Sequence, residues 1–109
     1  MPAVSLETRF DAAYKAIMQT ALVALMANGY RPDTKTPGHH ATLVQSLTKT
    51  IGLSAGRMVV LDALRKKRNL SDYSGMWVDE TSTASCITEA SELLREVESW
   101  LVENRPELV

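Results

Sequence analysis

Apolar positions recur at steps of three and four along most of the chain and divide it into four segments. Leu6, Phe10, Ala13, Ile17, Ala21 and Leu25 make the first stripe, widened by Tyr14, Met18 and Leu22, with Glu7, Asp11, Lys15 and Gln19 on the other side. That spacing predicts an amphipathic helix. Ser5 is placed as its N-cap, Glu7 lies in the first turn, and Gly29 and Pro32 end it, with Tyr30 set to pack back on Leu25. The expected helix is about 24 residues and roughly 36 Å long.

A polar connection with two prolines follows, Arg31 to Pro37. Thr36-Pro37 reads as an N-cap and a first-turn proline, opening a second helix that runs to about Ile51 on Leu43, Val44 and Leu47 and stops at Gly52. Leu53-Ser54 starts a third helix, with Ser54 as N-cap and Leu53 able to meet Met58 as a hydrophobic staple. Val60, Leu61 and Leu64 are its apolar positions, and Gly75 ends it. Met76-Trp77-Val78 is a short apolar segment that either folds over the bundle end or offers a partner-binding patch. The last helix is expected from about Thr83 to Asn104, before Pro106, on Ile87, Ala90, Leu94, Val97 and Leu101, with Leu93 and Trp100 broadening the stripe. Glu89, Glu92, Glu96, Glu98 and Glu103 mark its solvent side.

Four amphipathic helices with no strand signal predict an all-α single domain over residues 1–109, an antiparallel up-down four-helix bundle. The wide faces of the first and last helices leave room for a second subunit, so a homodimer is expected. Composition agrees: aromatics are only 6% of 109 residues, and the core must rest on Leu, Ala, Val, Ile and Met. The lone Cys86 cannot form an internal disulfide, which fits a reducing cytoplasm, and it reads as a small buried residue near a helix start. No basic segment followed by an apolar run begins the chain, and no uncharged stretch is long enough to span a bilayer. The expectation is a cytoplasmic protein without a membrane segment.

Net charge is −1, but it is unevenly placed. Arg57 to Arg68 holds five basic residues against one acid; Asp79 to Val109 holds eight acids against two bases. The basic run Arg65-Lys66-Lys67-Arg68 is either a solvated face or a phosphate-binding patch. Arg68 and Asp72 are four apart, as are Asn69 and Tyr73, so these side chains share half a helix circumference. Asn69 and Tyr73 add donors suited to a base or ribose. His39-His40 stand at a helix start, where free N–H groups and the dipole favour an anion; adjacent helical residues diverge by about 100°, which disfavours a shared metal. No Gly-rich phosphate loop, Cys-x-x-Cys, His-Glu-x-x-His or nucleophile elbow is present, and no cofactor is expected.

Gly38-His39-His40, then DALRKKRN from Asp62 to Asn69, then Ser71-Asp72-Tyr73, resembles the HEPN superfamily: small helical bundles of bacterial toxin–antitoxin and defence systems, often dimeric and often partnered with minimal nucleotidyltransferases. The resemblance implies an Arg, four to six residues, then His motif that cleaves RNA without metal, two motifs meeting across a dimer cleft. Arg68 matches the motif arginine and Asn69 the polar residue after it; Tyr73 stands where the histidine belongs. Tyrosine, with an ordinary pKa of about 10, is a poor base near neutrality. The resemblance therefore implies RNA or nucleotide binding through Arg65, Arg68, Asn69 and Tyr73, with Asp72, His39 and His40 as further binding residues and Arg68 and Tyr73 as the catalytic pair if the site is active. A dimeric docking module for a partner such as a nucleotidyltransferase is the alternative, and a histidine brought from another helix, His39 or His40, is a third.

Overall fold

The computed structural model describes residues 5–31, 39–74 and 78–109, with the backbone alone for 71–74. Four helices make up the described residues: α1 (Leu6–Ala27), α2 (His39–Thr50), α3 (Ala55–Ser74) and α4 (Glu80–Asn104), with a 3-10 turn at Pro106–Leu108. No strand occurs among the described residues. The all-α, four-helix class is the one expected. The readings placed on Thr36-Pro37, Gly38, Gly75, Met76 and Trp77 lie outside the described residues, as do the side chains of Asp72 and Tyr73.

Helix ends follow local chemistry. Thr8 N–H donates to Ser5 Oγ at 3.1 Å and satisfies one orphan donor of α1. At the other end Gly29 takes φ +89, a left-handed conformation that glycine adopts without a Cβ clash. The chain reverses there: Gly29 N–H reaches the Met26 carbonyl (2.9 Å) and Tyr30 N–H the Leu25 carbonyl (3.2 Å). Ser54 caps α3 through Arg57 N–H at 3.2 Å. The start of α4 differs from expectation. Asp79 accepts from Ser82 N–H at 2.9 Å, so the helix begins at Glu80, three residues before Thr83.

Phe10, Ile17, Val44, Leu47, Leu61, Leu93 and Val97 are buried almost completely within one contiguous cluster. Truncating Phe10, Ile17, Leu47, Leu61 or Leu93 to alanine is expected to cost about 2–5 kcal/mol. On α4 the buried positions are Thr83, Cys86, Leu93 and Val97; Ile87 and Leu94, expected in the core, are 41% and 49% exposed. Both stripes keep helical spacing, and the core takes the one turned by roughly one residue. Val60, likewise expected inside, is 39% exposed. Glu89 and Glu96, expected on the solvent side, instead hold Arg57 of α3.

Helix directions depart from the up-down order. Tyr14 meets His40 at the start of α2, while Asn28 Nδ2 donates to the Thr50 carbonyl at its end (3.3 Å), so α1 and α2 run the same way. Cys86 Sγ lies 3.8 Å from the Phe10 carbonyl oxygen and Arg105 Nε donates to the Ala27 carbonyl at 3.2 Å, so α1 and α4 are also parallel. Arg68 reaches Asp11, whereas Arg57 at the other end of α3 reaches Glu89 and Glu96, so α3 opposes both α1 and α4. Parallel neighbours need a long return connection, and eleven residues separate Ala27 from His39. This order places the end of α3 beside the starts of α1 and α2.

Candidate functional site

Three helices meet at that corner. Arg68 donates through Nε and Nη2 to Asp11 Oδ1 at 2.8 and 2.7 Å, and Lys15 Nζ takes Asp11 Oδ2 at 3.0 Å. The Arg68 guanidinium lies 5.9 Å from the centroid of the Tyr14 ring, within cation–π range. The Tyr14 hydroxyl and His40 Nδ1 share a hydrogen bond of 2.8 Å, and the His39 ring meets His40 edge-on at 4.3 Å between centroids. One turn earlier on α3, Arg65 Nε donates to Asp62 Oδ1 at 2.8 Å, and Lys66 lies 3.4 Å from the other oxygen. Among the described residues, the four cations Lys15, Arg65, Lys66 and Arg68 meet the two carboxylates Asp11 and Asp62.

The charges act on one another. The Lys15 hydrogen bond and the Arg68 contacts hold the Asp11 carboxyl below its ordinary 3.8 although burial opposes them. Asp62 is lowered chiefly by its bond to Arg65. His40 is pushed below its ordinary 6.5, first by burial and then by His39, Arg65 and Arg68. It is therefore neutral at pH 7, with one ring nitrogen carrying a proton and the other able to accept one.

Of the residues singled out from the sequence, Arg65, Arg68, His39 and His40 come together here, and Asn69 is exposed on the adjoining turn of α3. The side chains of Asp72 and Tyr73 lie outside the described residues. Asp11 and Tyr14 were missed: the first read as solvent-facing, the second as part of the apolar stripe. Their three-residue spacing puts both on one side of α1, the only local signal of the pairing.

The opposite end of α3 is built differently. Arg57 donates from Nε to Glu89 (2.9 Å) and from Nη1 to Glu96 (2.6 Å), with Glu92 at 3.8 Å. Burial disfavours the charge, yet Glu96 and Glu89 outweigh it and raise the Arg57 pKa. Cys86 is fully buried, and desolvation pushes its thiol up to about 11, as suits a packing residue rather than a nucleophile. Among the described residues no three His, Cys, Asp or Glu are grouped to hold a metal ion, and no helix is long and apolar enough to cross a membrane.

Comparisons with family models, curated proteins and solved structures find no match.

Proposed function

We propose that this chain is a HEPN-like, dimeric RNA- or nucleotide-binding domain of toxin–antitoxin or stress-response type, and that phosphate sits at the corner formed by α1, α2 and α3. The observation that carries this reading is the convergence of Arg68 and Arg65 with His40 and Tyr14 at one corner of the bundle. Guanidinium groups such as those of Arg65 and Arg68 match a phosphate's oxygens in bidentate, charge-assisted hydrogen bonds. Asn69, exposed next to Arg68, is placed to donate to a sugar or base.

A second reading has its own support. The residue at the motif-histidine position is Tyr73, but His40 lies within electrostatic reach of Arg68 and is held neutral. A neutral imidazole can take the proton of a ribose 2′-hydroxyl while Arg68 steadies the charge on the phosphoryl oxygens. The domain would then be a metal-independent ribonuclease with its histidine drawn from α2 rather than α3.

Both readings are tested by binding and cleavage of a mixed RNA pool at low salt, with Arg68→Ala, His40→Ala and Tyr73→Phe alongside. Binding lost in Arg68→Ala supports the RNA-binding domain. Cleavage lost in His40→Ala but kept in Tyr73→Phe supports the ribonuclease. Neither binding nor cleavage moves the assignment to a partner-docking module.

A further inference from the structure

Tyr14 enters the α1–α2–α3 corner from the core: it is 3% exposed and belongs to the same buried cluster as Phe10 and Ile17. Its hydroxyl meets His40 Nδ1 at 2.8 Å, with the two rings tilted by 60° and their centroids 5.6 Å apart. His40 itself is half-buried. A neutral imidazole carries one proton on its two nitrogens, and the bond made at one nitrogen decides where that proton sits. Which group donates at Nδ1 therefore decides what His40 can do at Nε2.

The chemistry of the two groups favours the phenol as donor. An imidazole nitrogen takes up a proton near pH 6.5, whereas a phenol is an acid of pKa about 10 whose oxygen is a far weaker base. The Arg68 guanidinium, 5.9 Å from the Tyr14 ring centroid, draws on the electrons of that ring and strengthens its O–H as a donor. Burial, His39, Arg65 and Arg68 all oppose a second proton on His40. We propose that Tyr14 is a positioning residue: its hydroxyl donates to His40 Nδ1, places the ring proton on Nε2, and so gives the corner a neutral N–H that donates to a phosphate oxygen.

The two nitrogens point to nearly opposite sides of an imidazole, so a ring held at Nδ1 by a core side chain turns Nε2 away from the core. A protonated Nε2 has no lone pair to take the proton of a ribose hydroxyl. Making Nε2 the base requires Nδ1–H to donate to the phenol oxygen, the weaker of the two acceptors. The corner is thus suited to groups that only accept hydrogen bonds, phosphate oxygens above all, and holds them without removing a proton. The inference rests on the phosphate corner proposed above, and favours its binding form over the ribonuclease.

Long-range proton–nitrogen correlation spectra of the full chain at about pH 8, above the ordinary histidine value, report the tautomer directly. Wild type is expected to show His40 protonated at Nε2 and bare at Nδ1. Tyr14→Phe should move both nitrogen signals toward the average of two exchanging tautomers, with helix content unchanged by circular dichroism. A proton on Nδ1 in wild type, or signals unmoved in Tyr14→Phe, overturns the inference and leaves the phosphate corner standing. Binding of the mixed RNA pool at low salt is the second arm. His40→Gln, whose amide can offer an N–H near the Nε2 position, should stay within about twofold of wild type, while His40→Ala falls about two- to tenfold. Equal losses in the two variants, or cleavage by wild type that His40→Gln abolishes, overturn the donor role. No RNA affinity in wild type overturns the phosphate corner itself and the role of His40 with it.

Discussion

Arg57 and Arg68 are eleven residues apart on one helix and equally half-buried, with side-chain exposures of 24% and 25%. Their surroundings set them apart. Arg57 is enclosed by three glutamates of α4, more negative charge than it can neutralise. Arg68 meets Asp11, which Lys15 shares, and has an aromatic face and a neutral histidine nearby. The first arginine is consumed by the fold. The second lies at the proposed phosphate corner, so one helix carries a structural ion cluster at one end and the candidate site at the other.

The largest effect expected is on stability, at the α3–α4 end. Arg57→Ala leaves Glu89, Glu92 and Glu96 facing one another and should cost about 2–3 kcal/mol in urea unfolding at pH 7. RNA affinity should stay unchanged. A loss of RNA affinity with unchanged stability would erase the distinction drawn between the two arginines. Arg68→Ala is expected to lower RNA affinity about tenfold, near 1.4 kcal/mol, with a smaller effect on stability. Tyr14→Phe sharpens the picture of the corner. Loss of the hydroxyl bond to His40 should cost about 1 kcal/mol, and the His40 ring signals should shift in NMR spectra while those of the α3–α4 end do not.

The smallest effect is the pH dependence. Folded His40 holds its proton less tightly than the unfolded chain, whose histidine titrates near 6.5. The unfolded state therefore takes up a proton first as pH falls below that value. The stability from neutral His40 is complete above pH 6.5 and is lost as pH drops through the folded value. His40→Gln should flatten this slope in unfolding curves measured between pH 5 and 7.

Sequence reading located much of the frame because helix ends carry their own chemistry. Ser5, Gly29, Gly52 and Ser54 mark ends that the structure confirms. Asp79 was passed over although Ser82, three residues on, offers the N–H that makes it a cap. The core stripe of α4 could not be chosen from periodicity, since Ile87-Leu94 and Cys86-Leu93 have equal spacing and differ only in which neighbour they face. Leu and Ile look the more apolar choice, yet Ile87 and Leu94 are the exposed pair. Helix direction was readable in principle. A connection of eleven residues with two prolines is longer than an antiparallel hairpin needs, and it returns α2 to the level of Tyr14. The corner was half legible: the α3 cations and the α2 histidines stand out in the sequence. Asp11 and Tyr14 become visible only once α3 is known to end against the start of α1.

The most direct measurement is the salt dependence of RNA affinity, followed by fluorescence anisotropy for wild type, Arg57→Gln, Arg65→Gln and Arg68→Gln. If the α1–α2–α3 corner holds the backbone, log affinity falls linearly with log salt, and the slope drops by about one contact in Arg65→Gln and Arg68→Gln but not in Arg57→Gln. Equal slopes in all four proteins, or no affinity at low salt, would contradict the account.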